Sequence, residues 1–68
     1  MSTHELTDNE KQERVAAEIE AAKREIFEHQ INIAKWSAFD GDFTAQVEMA
    51  EQSIANLTAA INALTNLA

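Results

Sequence analysis

The side chains of this 68-residue chain that could do acid–base or metal chemistry are two histidines, His4 and His29, and twelve carboxylates, set against five lysines and arginines. Cysteine is absent, so thiol catalysis, disulfides and thiolate-held zinc fall away. A metal on His29 would need two or three further donors from facing helices. The paired Glu-x-x-His motifs of di-iron bundles do not occur, so no metal and no cofactor is expected. His29 reads instead as a core or interface histidine held by a carboxylate or carbonyl. Catalytic carboxylates must converge in a concave, partly dry site. Here they are spread around a helix, where Glu10 with Arg14 and Glu20 with Arg24 have the i, i+4 order of solvated surface pairs. No glycine-rich phosphate loop, nucleophile elbow or metalloprotease motif occurs, and Asn56-Leu57-Thr58 is a chance glycosylation sequon. The expectation is a protein with no catalytic residues, not an enzyme.

The chemistry that remains is contact. Three of the four aromatic residues fall within Trp36-Ser37-Ala38-Phe39-Asp40-Gly41-Asp42-Phe43, interleaved with aspartates. Aromatics rimmed by polar groups are the material of protein-binding hot spots. Trp36 and Phe43 also suit a plug at the end of a helical bundle, whereas Phe39 follows from no packing argument. The candidate partner-binding residues are therefore Phe39, Trp36, Asp40, Asp42 and Phe43. Phe27, Ile31 and Lys35 come next, with Arg14 and Arg24 as cationic anchors on an acidic surface.

Two helices must position these groups. Residues 1–7 read as a flexible polar lead-in, and 8–68 as one helical domain. Thr7-Asp8-Asn9-Glu10 is a capping box, with Asp8 and Glu10 at the positive end of the helix dipole. Good helix formers then run to about residue 39 without Gly or Pro. Asp40-Gly41-Asp42 is the turn: Gly41 can adopt the left-handed conformation that ends the first helix, and Asp42 can cap the second, over about 43–67. In the first helix Val15, Ile19, Ala22, Ile26, His29, Ile33 and Trp36 recur at alternating steps of four and three. In the second, Phe43, Val47, Ala50, Ile54, Leu57, Ile61, Leu64 and Ala68 do the same. That 3.5-residue repeat is a seam between helices. Folding at Gly41 pairs Trp36 with Phe43, His29 with Ala50, Ala22 with Leu57 and Val15 with Leu64. The fold class is all-α, an antiparallel two-helix hairpin.

Such a hairpin leaves apolar surface uncovered. Phe27, Ile31, Ala34 and Ala38 form a second stripe on the first helix, roughly 130° around from the seam. Met49, Ala60, Ala63 and Leu67 form another on the second, with Ser53 and Asn56 beside them. Residues 52–68 carry no charge at all, whereas a solvent-facing helix normally carries Lys and Glu on its outer side. One hairpin also buries little surface against chain entropy. The expected closure is a homodimer forming a four-helix bundle, with Met49, Ser53, Asn56, Ala60, Ala63 and Leu67 at the dimer interface.

The formal charge of −7 argues against direct nucleic-acid binding, which needs clustered Lys and Arg. No apolar run approaches the ~20 residues of a membrane span, so no membrane partner is expected. No signal-peptide pattern opens the chain, and a cytoplasmic location is expected. The small size, the acidic first helix (Glu10, Glu13, Glu18, Glu20, Glu25, Glu28), the hairpin and the aromatic tip together resemble the small acidic helical accessory proteins of bacteriophages. That resemblance implies a non-enzymatic inhibitor that occludes a surface on a host regulatory, defence or motor protein. The alternative is a structural subunit, a coiled-coil-like assembly element with no inhibitory role.

Overall fold

The computed structural model describes residues 5–67, so His4, most of the expected lead-in and the seam position Ala68 lie outside the described residues. Helix α1 spans Asp8–Ala38 and α2 spans Thr44–Leu67. They pack against each other as an antiparallel hairpin, whose longer helix runs about 46 Å at 1.5 Å per residue. The start of α1 is the capping box: Glu10 N donates to Thr7 Oγ1 and Thr7 N donates to Glu10 Oε1, each at 3.1 Å. Two of the amides that a helix start leaves unpaired are thereby satisfied by side chains.

The connection differs in detail from the expected turn at residues 40–42. Phe39 is already extended (φ −86°, ψ 149°), and its N–H closes back on the Trp36 carbonyl at 3.3 Å. Gly41 therefore does not end α1. It lies in the middle of the connection with φ +122°, a backbone conformation that costs an L side chain strain. Asp42 leads into the second helix from one residue before its N-cap position. That position falls to Phe43, whose carbonyl accepts from Val47 N at 2.9 Å. Asp42 Oδ1 accepts from Thr44 N at 3.0 Å and from Thr44 Oγ1 at 2.6 Å, an Asx turn. Both bonds favour the carboxylate, and they hold Asp42 below the ordinary aspartate value of 3.8.

The seam is where the spacing put it. Every described seam residue is buried or half-buried, and the three buried residues are Val15, Ala22 and Ala50. Two of those three are alanines, and among the described residues no side chain is fully enclosed. The large seam residues, Ile19, Ile26, Ile33, Trp36, Ile54, Leu57, Ile61 and Leu64, each keep part of their surface in water. A pair of cylinders about 10–12 Å across touches only along a line, so two helices can enclose the small residues on that line and little else.

Candidate contact surfaces

The tip is built by the chain's change of direction. Once Phe39 leaves the helix, its ring meets Phe43 edge-on, with centroids 6.1 Å apart and planes at 62°. Aromatic rings prefer this geometry, positive edge to negative face. Phe43 and Trp36 are half-buried in their seam positions, while Phe39 stays 55 % exposed. A shallow hollow beside them is lined by Trp36, Phe39, Gly41, Asp42, Phe43 and Val47, and by Glu48 and Glu51. The two glutamates were not among the expected site residues. The signal for them was there: Glu51 is two helical turns from Thr44 and Glu48 adjoins Val47. The tip is thus an aromatic edge inside an acidic rim, with Asp40 and Asp42 also exposed.

The other expected contact residues are not gathered there. Phe27 is 61 % exposed, Ile31 half-buried and Lys35 exposed on successive turns of α1. At 1.5 Å per residue, Arg24 is roughly 18 Å and Arg14 roughly 33 Å from Trp36 along the axis. Arg14 reaches forward to Glu18 at 2.7 Å, while Glu10 Oε1 accepts from the Thr7 amide. Arg14 also belongs to a different hollow, at the open end of the hairpin, with Leu6, Lys11, Val15 and Leu67. The ten expected contact residues therefore form a tip cluster, a stripe and two separate cations.

The two apolar stripes lie on opposite sides of the hairpin. Viewed down its long axis, successive residues turn clockwise in one helix and counter-clockwise in its antiparallel neighbour. Since the seams face each other, displacements of the same sign fall on the same side. At about 100° per residue, Phe27 and Ala34 are displaced from their seam by roughly +120° and Ala60 and Leu67 from theirs by roughly −90°. One flat partner cannot cover both. On the α2 side Met49 and Leu67 are 72 % and 74 % exposed, Asn56, Ala60 and Ala63 are exposed, and Ser53 is half-buried.

Several polar side chains of α2 bond within the helix itself. Thr58 Oγ1 donates to the Ile54 carbonyl and Thr65 Oγ1 to the Ile61 carbonyl, both at 2.8 Å. Gln52 Nε2 donates to Asn56 Oδ1 at 3.1 Å. Hydroxyls bonded this way offer their donors to the helix backbone rather than to a partner, in a segment that carries no charge from residue 52 onward.

Among the described residues no group of three or more His, Asp or Glu side chains is close enough to hold a metal ion. No described helix is long and apolar enough to cross a membrane. The chain matches no protein-family model, and comparison with curated proteins and with solved structures found no significant similarity.

Proposed function

We propose that this small helical module is non-enzymatic and acts by binding another protein, which it inhibits or modulates. In the reading favoured by its acidic first helix, that protein is a regulatory, defence or motor component of the host cell. The module works as a homodimer, leaving the aromatic tip free. The observation that carries this reading is Phe39. It is a large apolar side chain outside both helices, 55 % exposed, and braced edge-on by Phe43. A braced aromatic loses little conformational freedom when it enters a groove, and hot spots of this kind contribute most of the energy of an interface. The surrounding Asp40, Asp42, Glu48 and Glu51 suit a groove with a basic rim, where charge steers encounter more than it adds affinity.

Groove insertion fits better than imitation of a nucleic-acid backbone. A phosphate mimic needs an unbroken row of negative charge, and on α1 the acids are interrupted by Lys11, Arg14, Lys23 and Arg24. The test is affinity capture of binding partners from a host lysate with wild-type and Phe39→Ala protein, at low and high salt. A stoichiometric partner retained at high salt by the wild type and lost by Phe39→Ala, with helicity unchanged, supports the tip. A partner equally retained by both proteins refutes it.

The structural alternative draws on a different observation, the absence of charge over residues 52–68. An assembly subunit would grow in size as concentration rises. A closed dimer would stay one size in sedimentation velocity.

A further inference from the structure

The homodimer proposed above leaves open which surface closes it and in which direction the copies run. We infer that the exposed stripe of α2 is a second helical seam, and that it takes the α2 of a second copy in antiparallel register centred on Thr58. The inference rests on the homodimer reading and is tested separately from it.

Three observations carry it. The first is spacing. Met49, Ser53, Asn56, Ala60, Ala63 and Leu67 follow at steps of four, three, four, three and four, the same repeat that marks the seam against α1. The stripe is also self-complementary. Reversed about Thr58, Met49 falls opposite Leu67 of the second copy, Ser53 opposite Ala63, and Asn56 opposite Ala60. A two-fold interface requires such reciprocity. Small residues occupy the middle, where two backbones can approach closely, and the two bulky residues close its ends roughly 27 Å apart.

The second is area. A compact monomer of 7.5 kDa exposes about 4,200 Å², whereas this chain exposes 5495 Å². The excess, about 1,300 Å², is larger than the ~800 Å² that each partner gives to a standard interface.

The third is charge. Each copy carries a formal −7, so two copies repel unless they meet where there is no charge. The last charged residue of α2 is Glu51. A parallel pairing would bring both acidic tips together, Glu48 and Glu51 of each copy included. The antiparallel one sets each tip beside the uncharged end of the other α2 and opposes the helix dipoles favourably. The Phe27 stripe and the Phe39 tip stay uncovered, as the opposite-side geometry requires.

Because the chain has no cysteine, single cysteines report the register. Met49→Cys and Leu67→Cys are purified reduced, oxidised alone and as an equimolar mixture, and read on non-reducing gels and by mass. The expected result is little cross-linking alone and a disulfide-linked Met49→Cys/Leu67→Cys heterodimer in the mixture, since only positions within about 7 Å between Cα atoms can bridge. Self-linking of Met49→Cys as fast as the mixture would overturn the antiparallel register and leave the homodimer standing. Sedimentation of the wild type as a monomer up to millimolar concentration would overturn both. As a second variant, Ala60→Glu adds a charge at an exposed position of the single chain. It should keep the hairpin helical while raising the dimer dissociation constant at least about 100-fold. Unchanged dimerisation of Ala60→Glu would place the interface elsewhere.

Discussion

Ala50 is the most buried residue of the hairpin, 5 % exposed, and it offers a clean test of where the core lies. The comparison is Ala50→Asp against Ala55→Asp, the same substitution on the same helix with Ala55 exposed. Both variants bear the propensity cost of replacing alanine in a helix, about 0.5–0.7 kcal/mol. Only Ala50→Asp must also place a carboxyl in the seam. An ordinary aspartate titrates near 3.9, so keeping it neutral at pH 7 costs three pH units at 1.36 kcal/mol each, about 4 kcal/mol. A chain of this length is stable by roughly 3–10 kcal/mol. Ala50→Asp should therefore be largely unfolded at pH 7, while Ala55→Asp loses about 2–6 °C in Tm. The pH dependence carries a sign. Burial raises the folded pKa of the new carboxyl, so its penalty grows as pH rises from the unfolded value towards the folded one and fades on acidification. Moving from pH 7 to pH 5 should return about 2.7 kcal/mol to Ala50→Asp relative to wild type. Thermal melts followed by circular dichroism at 222 nm read both effects. Equal melting temperatures for the two variants would refute the packing described for the seam.

Asp42 gives the opposite pH behaviour. Its folded pKa lies below 3.8 because Thr44 bonds the carboxylate twice. Its contribution is therefore full above the ordinary value and lost as pH falls through the depressed one. Asp42→Asn should melt lower than wild type at pH 7, and the difference should close below about pH 3.8; a gap that persists in strong acid would assign the effect to something other than charge. Gly41→Ala should cost about 1–2 kcal/mol through its φ of +122°, read as a lower denaturation midpoint at unchanged slope, and an unchanged midpoint would mean that the connection relaxes to another turn. Thr7→Ala removes the acceptor for the Glu10 amide and should cost about 1 kcal/mol, visible as faster hydrogen exchange confined to the first turn of α1; protection equal to wild type there would show the cap to be idle.

Much of this molecule is a matter of local periodicity, and periodicity is written in the chain. Residues three and four apart share a helix face whatever surrounds them, so the alternation from Val15 to Trp36 and from Phe43 to Leu64 was enough to specify two helices, their common seam and an antiparallel fold. The capping box at Thr7 and a role for Asp42 at the start of α2 are legible for the same reason, since each is a bond between near neighbours, although Asp42 acts one residue before the N-cap position. What needed the folded chain was every outcome decided by competition or by distance. Phe39 has a helix-compatible neighbourhood, yet it leaves the helix, and only there does its ring meet Phe43. Gly41 has the residue type that ends a helix, yet it serves the middle of the connection. Arg14 has the spacing to pair with Glu10 as well as with Glu18, and only the folded chain shows it bonded to Glu18. The placement of the two apolar stripes on opposite sides depends on the helices running antiparallel, because reversal of one helix reverses the sense in which its residues turn. Spacing along one helix carries no record of where the other lies, and so the sequence determined the seam while tertiary structure decided which surfaces remain for a partner.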